Sequence, residues 1–124
     1  MEFKIDTKDS FTIIMPTNGA IDAILATSLA EKCLEIRQSG SVNIIVDFSA
    51  CPEMDKSAVE WLITTHEESY SSEQSLVYTG ISKQGMSVLK EDETDLLLNI
   101  APSMKEAVDI VSMEILERDL FNEE

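Results

Sequence analysis

V-N-I-I-V-D-F-S-A-C-P-E-M-D-K-S-A-V-E-W-L, residues 42–62, reads as a buried strand, a short loop and the start of a helix. From Val42 to Phe48 the run is apolar and β-branched, too continuous for a strand with one wet face. Ser49 to Met54 forms the loop, and Pro52 disfavours helix before it. Asp55 then stands where an N-cap belongs, its carboxylate able to accept from the free amides of the next turn. Ser57 falls in that first turn, beside unpaired N–H groups and the positive end of the helix dipole. A dianion attached there would be stabilised, so the spacing makes Ser57 a candidate phosphorylation site.

Upstream, Phe3, Ile5 and Thr7 alternate with polar residues, as in a half-buried strand. Lys8-Asp9-Ser10 is a turn and Phe11 to Met15 a second strand, so the pair predicts a hairpin. Pro16, Asn18 and Gly19 end it. Ile21, Leu25, Leu29, Cys33 and Ile36 then recur at helical spacing, up to Ser39 and a C-terminal Gly40. Downstream, a helix is expected from Lys56 to Tyr70, with Val59, Leu62, Ile63, His66 and Tyr70 on one face. Ser57 and Trp61, four residues apart, lie together on the other.

Leu76 to Thr79 reads as a strand, Ser82 to Leu89 as a short helix and Leu96 to Ile100 as a short strand. A last helix starts at Pro102-Ser103, with a core stripe of Met104, Val108, Val111 and Ile115. A second apolar line, Met113, Leu116 and Leu120, lies off that stripe. Either the helix is clasped between the sheet and the N-terminal hairpin, or the line pairs with a second copy; a weak homodimer is the expectation. The order β-β-α-β-α-β-α-β-α calls for one α/β layered domain over residues 1–124, with right-handed crossovers.

Composition narrows the function. The 124 residues suffice for one core, and 44% hydrophobic with 6% aromatic content makes that core aliphatic. A net charge of −15 argues against nucleic acid and anionic membrane surfaces. Cys33 and Cys51 form no C-x-x-C pair and read as reduced thiols. No run reaches membrane-spanning length, and the first residues carry no signal-peptide core, so no membrane insertion and a cytoplasmic location are expected. No Gly-rich phosphate loop is present, and no second ligand is suitably spaced from His66, the single histidine. No cofactor or metal is therefore expected. Ser57 has no histidine partner for nucleophilic catalysis, so no enzymatic activity is expected.

Four short motifs carry a resemblance: Gly19-Ala20-Ile21-Asp22, Asp47-Phe48-Ser49, Asp55-Lys56-Ser57-Ala58 and Gly80-Ile81-Ser82. In this order and spacing the chain resembles the STAS domain of anti-sigma factor antagonists over nearly its whole length. The resemblance implies a STAS-like layered domain with a mixed sheet of about five strands and about four helices. It implies that Ser57 matches the serine phosphorylated in that family, with Asp55 in the same loop and Asp22 in a loop beside it. Lys56 stands where the family has a first Ser, and Ala58 where it has Gly. The implied partners are an anti-sigma factor of the ATPase-kinase type and a phosphatase that reverses the modification. A partner surface of Asp22, Asp55, Lys56, Ser57 and Trp61 follows. Asp22 and Asp55 also read as helix caps and Trp61 as a binding anchor. Asp47 invites comparison with the phosphoacceptor of response-regulator receivers. Against this, no Asp/Glu pair follows the first strand, and Ala101-Pro102 replaces Lys-Pro. A non-phosphorylated STAS scaffold subunit of a signalling or lipid-transport assembly is the alternative.

Overall fold

A computed structural model describes residues 2–17 and 19–122. The hairpin forms as its alternation predicts: β1 (Phe3–Thr7) pairs antiparallel with β2 (Thr12–Pro16). β2 then pairs parallel with β3 (Ile44–Asp47), β3 with β4 (Leu76–Thr79), and β4 with β5 (Ile100–Ala101). The result is one mixed sheet in the order β1-β2-β3-β4-β5. Four helices complete it: α1 (Ala23–Gln38), α2 (Val59–Ser71), α3 (Lys83–Lys90) and α4 (Met104–Phe121).

The two faces of the sheet explain the unbroken apolar run of β3. Ile44, Ile45 and Val46 are all fully buried. Ile44 and Val46 join Ile14, Leu76 and Tyr78 in a core with Leu25, Leu29, Cys33, Leu62 and Leu89, from α1, α2 and α3. Ile45 and Val77 point the other way and pack with Ala101, Ala107 and Val111, so α4 covers that face. A parallel strand covered on both sides has no wet face to advertise by alternation. Tyr78 is fully buried with its hydroxyl donating to the Leu62 carbonyl at 2.8 Å, which removes the cost of an unpaired phenol.

Asp22 caps α1 as predicted, and Ser103, where the last helix is expected to start, caps α4. Asp22 accepts from the Leu25 amide at 2.9 Å, and Ser103 from the Glu106 amide at 3.2 Å. Gly40 adopts φ +112 just beyond α1, a conformation that a Cβ would oppose.

Two expectations are corrected, and one alternative falls away. The helix expected from Lys56 begins with a 3-10 turn, Lys56–Ala58, and is α-helical only from Val59 to Ser71. The strand expected at 96–100 shrinks to β5, Ile100–Ala101. Glu93 turns the chain with φ 57 into a second 3-10 turn, Thr94–Leu96, leaving Leu96 76% exposed. An apolar run that is short says little about which of its residues reach the sheet. The second line of α4 is not clasped within the chain either: Met113, Leu116 and Leu120 are each about 60% exposed.

Candidate functional site

Ser57 sits where two helix starts converge, and a backbone bridge brings them there. Before α1, Ile21 pairs with Met54 as an isolated parallel bridge. The Ile21 amide donates to the Glu53 carbonyl at 2.8 Å, and the Asp55 amide donates to the Ile21 carbonyl at 2.8 Å. This short ladder sets the start of α1 against the Asp55–Ala58 turn. The Ser57 hydroxyl oxygen then accepts from the Ala23 amide, the first of α1, at 3.1 Å. The Ser57 amide donates to the Asp55 carboxylate at 3.0 Å, the cap expected of Asp55. Hydrogen bonds from the Ser57 hydroxyl and amide hold the Asp55 carboxyl below the usual carboxylate range, so it is ionised at neutral pH.

Ala20, Asp22, Ala23, Ile24, Asp55 and Ser57 line a shallow cleft of about 440 Å³. The structure therefore brings Asp22 together with Asp55 and Ser57, which lie 33 and 35 positions further along the chain. Ser57 is exposed, and Ile24 beside it is 69% exposed. Trp61 is 43% exposed on the next turn of the chain, and both it and Ser57 reach solvent. Lys56 leans away from the cleft. Its ammonium lies 3.7 Å from both Glu91 and Asp92, in the turn that follows α3.

Asp47 takes no part in the cleft. Its carboxylate accepts from the Ser49 amide at 2.9 Å and shapes the turn after β3. His66 packs against Tyr70 with tilted rings, centroids 4.7 Å apart, and its Nδ1 is buried without a partner among the described residues. Burial lowers its pKa. Among the described residues no group of three or more His, Cys, Asp or Glu is placed to hold a metal ion. No helix among them is long and apolar enough to cross a membrane.

The sequence reading missed Gln84. Its side-chain carbonyl accepts from the Met54 amide at 2.6 Å, and its NH₂ donates to the Met54 carbonyl at 2.9 Å. Ser82, which caps α3, also donates to the Pro52 carbonyl at 2.6 Å. Together they clamp the loop that precedes Ser57. The Gly80-Ile81-Ser82 motif marked the right place, but nothing local singles out a glutamine two residues later.

The family model for the STAS domain matches residues 2–107. No curated protein sequence matches the chain significantly. Several solved structures share the fold. The anti-sigma factor antagonist SpoIIAA in its unphosphorylated form is 19% identical, with 90% of this chain and 96% of that one covered and a TM-score of 0.68. A serine-to-glutamate variant of RsbS from Moorella thermoacetica is 19% identical, with 95% and 99% covered and a TM-score of 0.73. An anti-sigma factor antagonist from Mycobacterium paratuberculosis is 15% identical, with 90% and 93% covered and a TM-score of 0.71.

Proposed function

The chain belongs to the STAS domain family, and from that premise we propose that it is a regulatory protein-binding module switched at Ser57. Unphosphorylated, it binds an anti-sigma factor of the ATPase-kinase type through Asp22, Asp55, Lys56, Ser57 and Trp61. That kinase phosphorylates Ser57, and a phosphatase restores the hydroxyl. ATP and magnesium belong to the kinase; the chain itself works in the cytoplasm without catalysis.

One observation carries this reading: an exposed Ser57 hydroxyl shares a cleft with the Asp22 and Asp55 carboxylates at the capped start of α1. A phosphate on Ser57 would add close to two negative charges beside Asp22 and Asp55. The Ala23 amide would favour it, as the N-terminus of α1 favours any anion. The nearest lysine, Lys56, is already shared between Glu91 and Asp92. The modified cleft is thus a dense anionic patch. A surface that binds a partner when neutral at Ser57 loses that partner through desolvation and repulsion, with no change of fold.

The test is phosphorylation by the anti-sigma factor kinase encoded nearest the gene. Incubation with that kinase and ATP adds the mass of one phosphate, and Ser57→Ala adds none. No added mass, or full modification of Ser57→Ala, would falsify the switch.

The same Lys56 contacts favour the second reading, a STAS scaffold subunit that is never phosphorylated, because they share the lysine next to Ser57 between two carboxylates. Unmodified protein that co-purifies with a stable assembly, and is unaffected by Ser57→Glu, distinguishes it.

A further inference from the structure

On the far side of the sheet from Ser57, α4 presents a face that none of the described residues covers. Ala107 and Val111 are fully buried against the sheet. Met113, Leu116 and Leu120 lie on the opposite side of the helix, at 61%, 59% and 60% exposure. Spacings of three and four residues make them one stripe. The family match ends at residue 107, near the first turn of α4, so the stripe lies outside the matched segment.

The charges around the stripe have one sign available. Glu106, Asp109, Glu117 and Asp119 are exposed on α4. Its two cations are engaged: Lys105 pairs with Asp109 at 3.1 Å, and Arg118 donates inward to Asn43 and Ser75, both at 2.9 Å. We propose that this face is a docking site for a basic amphipathic helix of a partner protein, with apolar side chains on the stripe and Lys or Arg against the acidic flanks. A second copy fits less well. An antiparallel pair about a two-fold axis sets each flank against the same flank of the other copy, so acidic residues face acidic residues. Nucleic acid and anionic lipid are repelled by the same flanks and by a net charge of −15.

The probe is a synthetic helical peptide with a leucine stripe and lysine flanks, set against a scrambled peptide of the same composition. Fluorescence anisotropy with the full chain should show the amphipathic peptide binding about tenfold tighter than the scrambled one, and weakening as salt is added. Leu116→Glu should abolish that preference, and Ser57→Glu should leave it unchanged, which separates this face from the Ser57 cleft. Met113→Glu serves if Leu116→Glu loses its circular dichroism signal. Equal binding of the two peptides, or a preference that survives Leu116→Glu and Met113→Glu, overturns the proposal. So does sedimentation velocity showing a wild-type dimer that Leu116→Glu dissolves, since the occupant is then a second copy.

Discussion

Gly80 is the residue whose smallest change should matter most. It follows β4 with φ +74, and a Cβ there would overlap the Asp47 carboxylate and lie 2.7 Å from the Ser49 amide. Gly80→Ala should therefore cost about 2 kcal/mol or more, from strain and from displacing the turn after β3. Urea denaturation of the variant checks this; a midpoint equal to wild type would show that the turn yields freely. Trp61 gives the opposite expectation. Its 43% exposure leaves the core little to lose, whereas a half-exposed indole near Ser57 is a suitable anchor. Trp61→Ala should weaken kinase binding by about 2 kcal/mol while the urea midpoint stays near wild type. Isothermal titration with unchanged affinity, together with a large loss of stability, would return Trp61 to the core.

At the scale of elements, α4 is held down by polar contacts as much as by apolar ones. Glu114 accepts from the Tyr70 hydroxyl at 2.8 Å, from the Ser75 hydroxyl at 2.6 Å and from the Asn99 amide at 3.2 Å. It thus ties α4 to the end of α2 and to the segments before β4 and β5. Arg118, one turn on, completes the set through Asn43 and Ser75. Removing the shared acceptor leaves several donors short of a partner in a half-buried site, the more expensive way to lose hydrogen bonds. Glu114→Ala should destabilise by about 1–3 kcal/mol with an unchanged denaturant slope. Equilibrium urea curves measure both quantities. This network sits at the end of the sheet away from the Ser57 cleft. The variant should accordingly retain kinase binding.

The whole molecule buries weak acids in neutral form. Burial pushes the Cys33 thiol from 9.0 up to about 11, against a smaller opposing pull from Arg37. It pushes the Tyr70 phenol from 10.0 up to about 12, with Glu114 adding to the rise. Tyr78, fully buried, is raised as well. In each case the folded pKa exceeds the unfolded one. The stability they contribute is fully present below the unfolded values and is lost as pH rises through the folded ones. Stability should therefore hold from pH 7 to about 9 and fall from there to about 12. Cys33→Ala should shrink the loss that begins near pH 9 without removing it, because burial also raises the Cys51 thiol from 9.0 and the tyrosines follow from 10.0. Urea midpoints across that range read the effect directly; a flat profile would mean that these groups ionise without unfolding the chain.

Much of this protein was legible along the chain because it depends on short-range physics. Alternation in Phe3, Ile5 and Thr7, the stripe from Ile21 to Ile36, the caps Asp22 and Asp55 and the helix start at Pro102-Ser103 need only neighbours within a turn or two. Their elements stand where the spacing places them. The unbroken apolar run of β3 announced a sheet covered on both faces. Tertiary structure alone decided the rest. The Ile21–Met54 bridge, which carries Asp22 and the Ala23 amide to Ser57, joins segments with α1 and β3 between them, so no local pattern encodes it. The same holds for Gln84 on Met54 and Lys56 on Glu91 and Asp92. β5 is two residues long because Tyr78 and Thr79 are its only partners in register, a limit set by the sheet and not by the apolar run. The stripe on α4 was visible as a pattern, but its exposure depended on which side of the helix the sheet took. Periodicity gives a helix its faces; the packing of the remaining chain settles which of them meets water.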